Sequence, residues 1–489
     1  MPTLRDVAEL AGVSVATASN AINHARPVSP TTRARVERAA SELGYVKGHT
    51  VEVSARKNLI PGDGAAASRS PAGIPRGDAV DGVLVTTSHP LKGSGDHGSS
   101  VGAARALLRL LRAAQPISRA DLARRLGLNR STVTDIFKPL VAAGVVLEDS
   151  IQQGPGAGRN LGRPAAGLRF NSDRDLFVGV SIGVRRTQIG VADLGGEVLG
   201  EEEFDTPPAP TEALRLVRAS VEKLSLGEHG GRRLRAIGVS LPGFTDADRG
   251  RLLYAPHLGW HDVPVSDALS FDGVRVVVEN DATAAALYEA RLRLRGDDRR
   301  QLNNFVLVRS GTGIGVGLVL GGEVYRGVGK GQGIAGEFGH MTIVAGGKPC
   351  ACGNRGCWER YAAASAAGPL YTGERVRLGS EKPPRYVEIV GRAEAGDLRA
   401  RRTLERLGEY LGIGIGNVIV GLGVPRVIVS GRIVEGWKFI SGPLNEAVSQ
   451  GMAGKLEGWS VEPGEPKGAG LGGAMEVAVD GFLTSTFAP

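Results

Sequence analysis

The whole cysteine complement of this 489-residue chain falls within eight positions, in Cys350-Ala351-Cys352-Gly353-Asn354-Arg355-Gly356-Cys357, and His340 stands ten positions before the first thiol. Thiolates and an imidazole are the soft and borderline ligands that zinc gathers into a tetrahedron. Gly353 and Gly356 supply the tight turns that ligands so close in sequence need in order to converge. The cluster therefore predicts Zn2+ held by His340, Cys350, Cys352 and Cys357. Four protein ligands leave no open position for water, so the expected role is structural, the ion adding folding energy to its surroundings.

Elements must position that cluster, and the composition bounds what they are. Metal-bound rather than paired cysteines point to a reducing compartment. No run of about eighteen apolar residues predicts a transmembrane helix, and the polar opening Met1-Pro2-Thr3-Leu4-Arg5-Asp6 does not read as a signal peptide. A cytoplasmic location is expected. The net charge of +8 is uneven: residues 1–172 hold 22 Lys and Arg against 13 Asp and Glu, the remainder 37 against 38. The surplus in the first third predicts a polyanionic partner there.

The opening stretch splits into three short helical patterns. Thr3 with Asp6 resembles a capping box, Gly12 makes a turn, Ser14 caps a second helix, and Ser29 caps a third that runs to Gly44. Two helices joined by a glycine turn are the helix-turn-helix plan for double-stranded DNA. From Leu4 through Asn23, with Val28-Ser29-Pro30 and Leu43-Gly44-Tyr45 beyond, the residues resemble the lac-repressor family headpiece over about 45 positions. That resemblance implies Val15, Ala16 and Asn20 on the base-reading face, with Thr17 and Ser19 near phosphates. Asn20, where the family often has Arg, offers a donor–acceptor pair suited to adenine. The headpiece region is taken as residues 1–48. Residues 49–100, rich in Gly, Ala, Ser, Pro and Asp, are expected to be a flexible linker. The periplasmic-type sugar domain that usually follows such a headpiece has no counterpart.

A second DNA reader is expected over residues 101–172. Ala103–Ala113 is amphipathic, Ser118 caps Arg119–Leu126, Gly127 turns, and Asn129 caps Arg130–Ala143. A strand from Val145 and its return at Leu168–Phe170 complete a winged helix-turn-helix. Arg130, Ser131, Thr132, Thr134 and Lys138 are expected to face the groove, with Arg159 and Arg163 on the wing. Pro139 within the recognition helix predicts a kink.

From Leu176 the pattern turns to strands, at Phe177–Ile182, Gln188–Ala192, Ala236–Ser240, Val274–Val278, Phe305–Val308, Gly315–Leu320 and Arg426–Val429, with helices at Thr211–Leu224 and Ala282–Arg293. The class is α/β. Four blocks resemble the ROK family (repressors, open reading frames, kinases) across 173–489. They are Gly238-Val239-Ser240-Leu241-Pro242-Gly243, Glu279-Asn280-Asp281-Ala282, Ser310-Gly311-Thr312-Gly313-Ile314-Gly315, and Gly333 to Met341 leading into the cysteines and Glu359. The resemblance implies a two-lobed, actin-like (hexokinase-like, ribonuclease H-like) fold with a ligand cleft between the lobes. It also implies that Asn280, Asp281, Glu337, His340 and Glu359 hold a sugar or sugar phosphate. His340 can ligate zinc through one ring nitrogen and present the other to a sugar oxygen.

The same resemblance makes Asp281 the position of a kinase base and Gly311–Gly315 a phosphate loop. The family's other phosphate loop, Asp-x-Gly-x-Thr, is degenerate here: Ser181-Ile182-Gly183-Val184-Arg185. Losing the carboxylate that organises magnesium removes several kcal/mol of transition-state stabilisation in phosphoryl transfer. The expected function is a sugar-responsive transcriptional regulator, most simply a repressor, acting as a homodimer or homotetramer without catalytic residues. An ATP-dependent hexose kinase with accessory DNA-binding domains is the alternative.

Overall fold

A computed structural model describes residues 4–23, 28–43, 100–150, 166–225, 231–295, 303–328, 333–373, 382–465 and 468–486. The expected linker, the tip of the wing with Arg159 and Arg163, Thr3 and the segment after Leu43 lie outside the described residues. The chain divides into two compact units, Met1–Leu91 and Lys92–Pro489.

In the first unit, helices α1 (Leu4–Leu10), α2 (Val15–Asn23) and α3 (Pro30–Glu42) close over a core of Val7, Ala8, Ala11, Ala18, Ala21, Val36 and Ala39. The hydroxyl of Ser14 accepts from the Thr17 amide at 3.1 Å, and that of Ser29 from Thr32 at 3.3 Å, so the expected caps form. Arg35 donates through Nη2 to the Ala11 carbonyl at 2.5 Å, tying α3 to the turn between the other two helices.

The second unit begins with α4 (Ser100–Ala114), then β1 (Ile117–Ser118), α5 (Arg119–Leu126), α6 (Arg130–Ala142), β2 (Val146–Ser150) and β3 (Ala166–Phe170), the strands pairing in the order β1-β3-β2. Ser118 caps α5 and left-handed Gly127 ends it; Asn129 precedes α6 without making a side-chain cap bond. The kink expected at Pro139 does not interrupt α6, which continues to Ala142 with the Ala143 amide donating to the Pro139 carbonyl. The proline falls in the later turns, where burial of Phe137 and Leu140 outweighs one missing backbone bond.

Two lobes follow with the same topology. The first holds β4 (Asp175–Ile182), β5 (Arg186–Asp193), β6 (Val198–Asp205), α7 (Pro210–Ser225), β7 (Arg233–Leu241) and β11 (Arg275–Asn280). Between β7 and β11 lie a small sheet, β8 (Phe244–Asp246), β9 (Arg251–Ala255) and β10 (Trp260–Val263), and the short helix α8 (Val265–Ala268). Helix α9 (Asp281–Leu294) crosses to the second lobe, with β12 (Asn304–Ser310), β13 (Ile314–Leu320) and β14 (Glu323–Val324). Then come α10 (Glu359–Ala362), α11 (Ala367–Thr372), α12 (Tyr386–Glu394), α13 (Leu398–Leu422), β15 (Arg426–Ser430), α14 (Trp437–Gln450) and β16 (Ser460–Pro463). The large sheets run β6-β5-β4-β7-β11 and β14-β13-β12-β15-β16: an antiparallel meander followed by two parallel strands, twice over. All seven strands expected from the sequence are present.

The last helix, α15 (Ala469–Thr486), returns to the first lobe. It packs where β4 and β7 carry Gly179 and Gly238; a Cβ at Gly179 would meet Met475 Cγ at 2.6 Å, and one at Gly238 would strike the Ala474 carbonyl oxygen. One continuous core joins α4 to this lobe: Leu107, Leu108 and Leu111 cluster with Phe177, Ala478 and Phe482. The winged-helix segment is thus welded to the lobe rather than tethered. A charged network underlies the weld, Arg112 of α4 meeting the Glu476 carboxylate of α15, which Arg291 of α9 also reaches at 2.6 Å.

Candidate functional site

The thiols and the imidazole do come together. His340 ends a single 3-10 turn, Glu337–His340, and the cysteines occupy the loop that leads to Trp358. Left-handed Gly353 and Gly356 turn that loop; a Cβ on Gly356 would collide with the Val344 carbonyl oxygen. The four ligand atoms lie within 4.8 Å of one another. His340 Nδ1 is 3.6 Å from Cys350 Sγ, and Cys352 Sγ is 3.7 Å from Cys357 Sγ. A tetrahedron with metal–sulfur bonds of about 2.3 Å has edges of about 3.8 Å, so the spacing fits a four-coordinate ion. Burial, aided by neighbouring Glu359, holds the Cys350 thiol far above its usual range, and a cation in the cage would reverse that. Trp358, fully buried, donates its indole N–H to the Tyr410 carbonyl at 2.8 Å and anchors the loop on α13.

The other face of the cluster looks into the cleft. With Nδ1 turned to Cys350, His340 Nε2 lies 3.6 Å from Glu337 Oε2. Glu359, almost fully buried, accepts from the Cys350 thiol at 3.1 Å and faces His257 Nε2 at 3.5 Å. Gly313 of the glycine loop comes so close that a Cβ there would strike the Glu359 carboxylate. Burial, with the charges of Asp281 and Glu359 nearby, pushes Glu337 up to about 8. Burial acts the same way on Glu359, but hydrogen bonds from His257 and Cys350 and the His340 ring outweigh it and leave this carboxyl below its ordinary value. One carboxyl that keeps its proton beside one that does not supplies both a donor and an acceptor for hydroxyl groups.

Asn280 and Asp281 stand where β11 becomes α9. Asn280 is the N-cap: its Oδ1 accepts from the Ala282 and Thr283 amides and its Nδ2 donates to the Gly243 carbonyl at 2.9 Å. One amide hydrogen therefore remains for a ligand, and most of what Asn280 does is hold Asp281 in position. Asp281 Oδ2 is ion-paired with Arg309 Nη1 at 2.5 Å. Arg309 and His257 are the two cleft residues that sequence reasoning missed. Neither belongs to a spaced motif; Arg309 sits in an apolar strand and His257 in a turn after Ala255-Pro256. Ser181, next to last in β4, has its hydroxyl 2.9 Å from the point a Cβ on Gly470 would occupy.

The readers present their own surfaces. On α6, exposed Arg130, Thr134 and Lys138 recur at four-residue intervals, Ser131 is exposed and Thr132 half-buried, opposite the buried Val133, Phe137 and Leu140. Thr134 donates back to the Arg130 carbonyl at 2.9 Å. On α2, Val15 is exposed while Thr17, Ser19 and Asn20 are half-buried; the Ala16 side chain lies outside the described residues.

A duplicated pair of five-stranded lobes facing a carboxylate-lined cleft defines the actin- and hexokinase-like class, here preceded by helix-turn-helix modules. The chain belongs to the ROK family, whose sequence profile matches residues 177–480. Residues 3–47 match the lacI family of bacterial regulatory proteins, and residues 103–146 a winged helix-turn-helix DNA-binding profile. The chain is 31% identical to a xylose repressor of Bacillus subtilis strain 168, over 72% of this chain and 87% of that one. The crystal structure of a ROK family transcriptional regulator, described as a homologue of the Escherichia coli MLC protein, superposes with a TM-score of 0.63 at 27% identity, covering 80% of this chain and 97% of that chain. A ROK family glucokinase from Streptomyces griseus, solved with glucose and AMPPNP, gives a TM-score of 0.52 at 28% identity over 62% of this chain and 99% of that one. Among the described residues no helix is long and apolar enough to cross a membrane.

Proposed function

We propose that this chain is a sugar-responsive transcriptional repressor. Its ROK region, taken as residues 173–489, binds a sugar or sugar phosphate without phosphorylating it, and residues 1–48 and 101–172 are its DNA readers. What supports this is the convergence of Asp281, Glu337, His340 and Glu359 beside a loop that has Ser181 and Arg185 where the family resemblance expects Asp and Thr, in a molecule whose first lobe shares its core with the winged helix. Asp281, Glu337, His340 and Glu359 would contact the ligand directly, Asn280 chiefly by holding Asp281. Zinc on His340, Cys350, Cys352 and Cys357 would fix the imidazole and both glutamates around the hydroxyls. Asp281 is engaged by Arg309, and a serine stands at position 181 where the family resemblance puts a magnesium-organising carboxylate, which favours binding over phosphoryl transfer.

Ligand binding would act by its differential affinity for two arrangements of lobes or subunits, changing how paired readers span operator half-sites. Homodimers or homotetramers of a cytoplasmic protein suit that mechanism. Arg130, Ser131, Thr132, Thr134, Lys138 and Arg163 are the proposed contacts of the winged reader, and Val15, Ala16, Thr17, Ser19 and Asn20 those of the first.

The test is operator affinity of the metal-loaded protein, measured by fluorescence anisotropy with and without a panel of sugars and sugar phosphates, alongside a coupled ADP-release assay. A ligand-dependent change in affinity with no ADP release is the expected outcome. Steady turnover of ATP with a hexose would instead establish a kinase.

A further inference from the structure

We infer that the β13–β14 hairpin is a latch that carries the state of the cleft to the winged reader, through Glu323 on Arg109 and Arg326 on Glu279. This rests on the sugar-responsive reading above and names how the response reaches DNA. The reader is fixed to the first lobe, since Leu107, Leu108 and Leu111 of α4 share a core with Phe177, Ala478 and Phe482. Arg109 stands on the same helix but reaches both lobes. Its Nε donates to Asp480 Oδ1 of α15, on the first lobe, at 2.8 Å. Its far end takes the tip of the second lobe's hairpin. There Nη1 donates to the Gly322 carbonyl at 3.0 Å and to Glu323 Oε1 at 2.9 Å, and Nη2 to Glu323 Oε2 at 3.1 Å. A planar guanidinium has donors on two edges, and a fork on both oxygens of one carboxylate fixes distance and angle together.

The hairpin is braced so that a displacement at one end appears at the other. Left-handed Gly321 and Gly322 turn it, and their amides donate to Asn304 Oδ1 at 2.9 Å and to the Asn303 carbonyl at 2.7 Å. Beyond β14 the Tyr325 amide still donates to the Leu318 carbonyl at 2.9 Å. The next residue, Arg326, returns to the first lobe with its Nε 2.5 Å from Glu279 Oε2. Glu279 is almost fully buried, and the Asn280 amide donates to its other oxygen at 3.2 Å. It thus directly precedes Asn280 and Asp281, the residues that β11 delivers to the cleft. Rotation of one lobe against the other would draw Glu323 away from a reader that moves with the first lobe. The Arg109–Glu323 pair is partly exposed and adds little to stability by itself. Coupling needs only that the pair form better in one lobe arrangement than in the other.

The test uses the metal-loaded full chain and a short duplex that the unmodified chain has selected from random sequence. Duplex affinity is measured by fluorescence anisotropy with and without D-xylose or D-glucose, and sugar affinity by calorimetry. In the unmodified chain a sugar should change duplex affinity by about 10-fold or more. Glu323→Gln and Arg109→Met should each cut that change to within about twofold, with sugar affinity held within about threefold and the double variant no worse than either single. A merely structural pair would lower the melting temperature and leave the ratio untouched. A full response in both single variants would overturn the inference and leave the sugar-responsive reading standing. Hydrogen exchange supplies an arm that needs no sugar. Duplex binding should alter exchange of amides 318–326 in the unmodified chain and leave them unchanged in Glu323→Gln. No alteration in the unmodified chain, or an equal one in the variant, would overturn the latch. If neither sugar moves the unmodified chain, the sugar-responsive reading fails and the exchange result alone decides the latch.

Discussion

Glu476→Ala should be among the most damaging single substitutions away from the cleft. Its carboxylate is 9% exposed and lies between Arg112, 3% exposed, and Arg291, 12% exposed. Those guanidiniums are themselves anchored, Arg112 Nε on the Leu194 carbonyl at 3.0 Å and Arg291 Nη2 on that of Gly195 at 2.8 Å. Four parts of the molecule thus meet at one carboxylate: α4, α9, α15 and the turn after β5. Burial, opposed by Glu476 and reinforced by Arg291, draws the Arg112 guanidinium down to about 10, so it stays charged at neutral pH. Removing the carboxylate leaves two like charges buried without compensation, which costs about 3–5 kcal/mol. Unfolding entropy is about 2.1 cal/mol/K per residue, or about 0.8 kcal/mol/K for a unit of roughly 400 residues, so the melting temperature should fall by about 4–6 °C. Differential scanning fluorimetry reads this directly. A double variant with Arg112→Met should recover part of the loss, because it removes one stranded charge. A Glu476→Ala protein melting within about 1 °C of the parent, or strictly additive losses in the double variant, would refute the assignment of this network as the electrostatic bond between winged helix and lobe.

Three further outcomes follow from the same structure. Plasma emission should find one zinc per chain, and Cys357→Ser or a strong chelator should weaken sugar affinity by about 10- to 100-fold as His340 loses its fixed orientation. Gly238→Ala drives a Cβ into the backbone of α15 at Ala474 and Ala478, neither of which can give way as a side-chain tip could. It should cost about 3 kcal/mol or more, read as a lower urea midpoint. Lys138→Ala should weaken binding to every DNA sequence alike and reduce the salt slope by about 1, whereas a change in sequence preference would place Lys138 on a base.

Much of the site was legible because its chemistry depends on spacing along the chain. Three thiols within eight positions and a histidine ten residues away have few uses besides a metal. Alternating strands and serine caps were equally open to inspection, since each is a local rule. What escaped depends on tertiary contact. Helix α13 carries Gly408, Gly412, Gly414, Gly416 and Gly421, a run of poor helix formers. Three of them admit neighbours that hold the helix: a Cβ at Gly408 would meet the Ile440 carbonyl oxygen at 2.6 Å, one at Gly412 the Leu444 carbonyl oxygen, and one at Gly414 would overlap the Trp358 ring. Arg109 and Arg112 of α4 look like a solvated stripe in sequence, yet Arg109 bonds Asp480 at 2.8 Å and Arg112 is buried. Asn280 errs the other way: its type suited a sugar ligand, but an asparagine just before a helix is also a strong N-cap, and the fold uses it so.

The deeper lesson lies in what separates a phosphorylating cleft from one that only binds. The two-lobed fold is common to a ROK transcriptional regulator and a ROK glucokinase, so architecture alone does not choose between them. Under the reading proposed above, two positions bear on the choice, Ser181 of β4 and Arg309 of β12. With a carboxylate at 181 and no cation at 309, the cleft would attract magnesium and leave Asp281 free to take a proton. With Ser181 and Arg309, position 181 brings no charge to a metal and Asp281 carries a counter-ion at 2.5 Å. A ligand held at Asp281 would act on α9, whose N-terminus carries that residue and whose later turns carry Arg291 against Glu476 and, through it, the first helix of the winged reader.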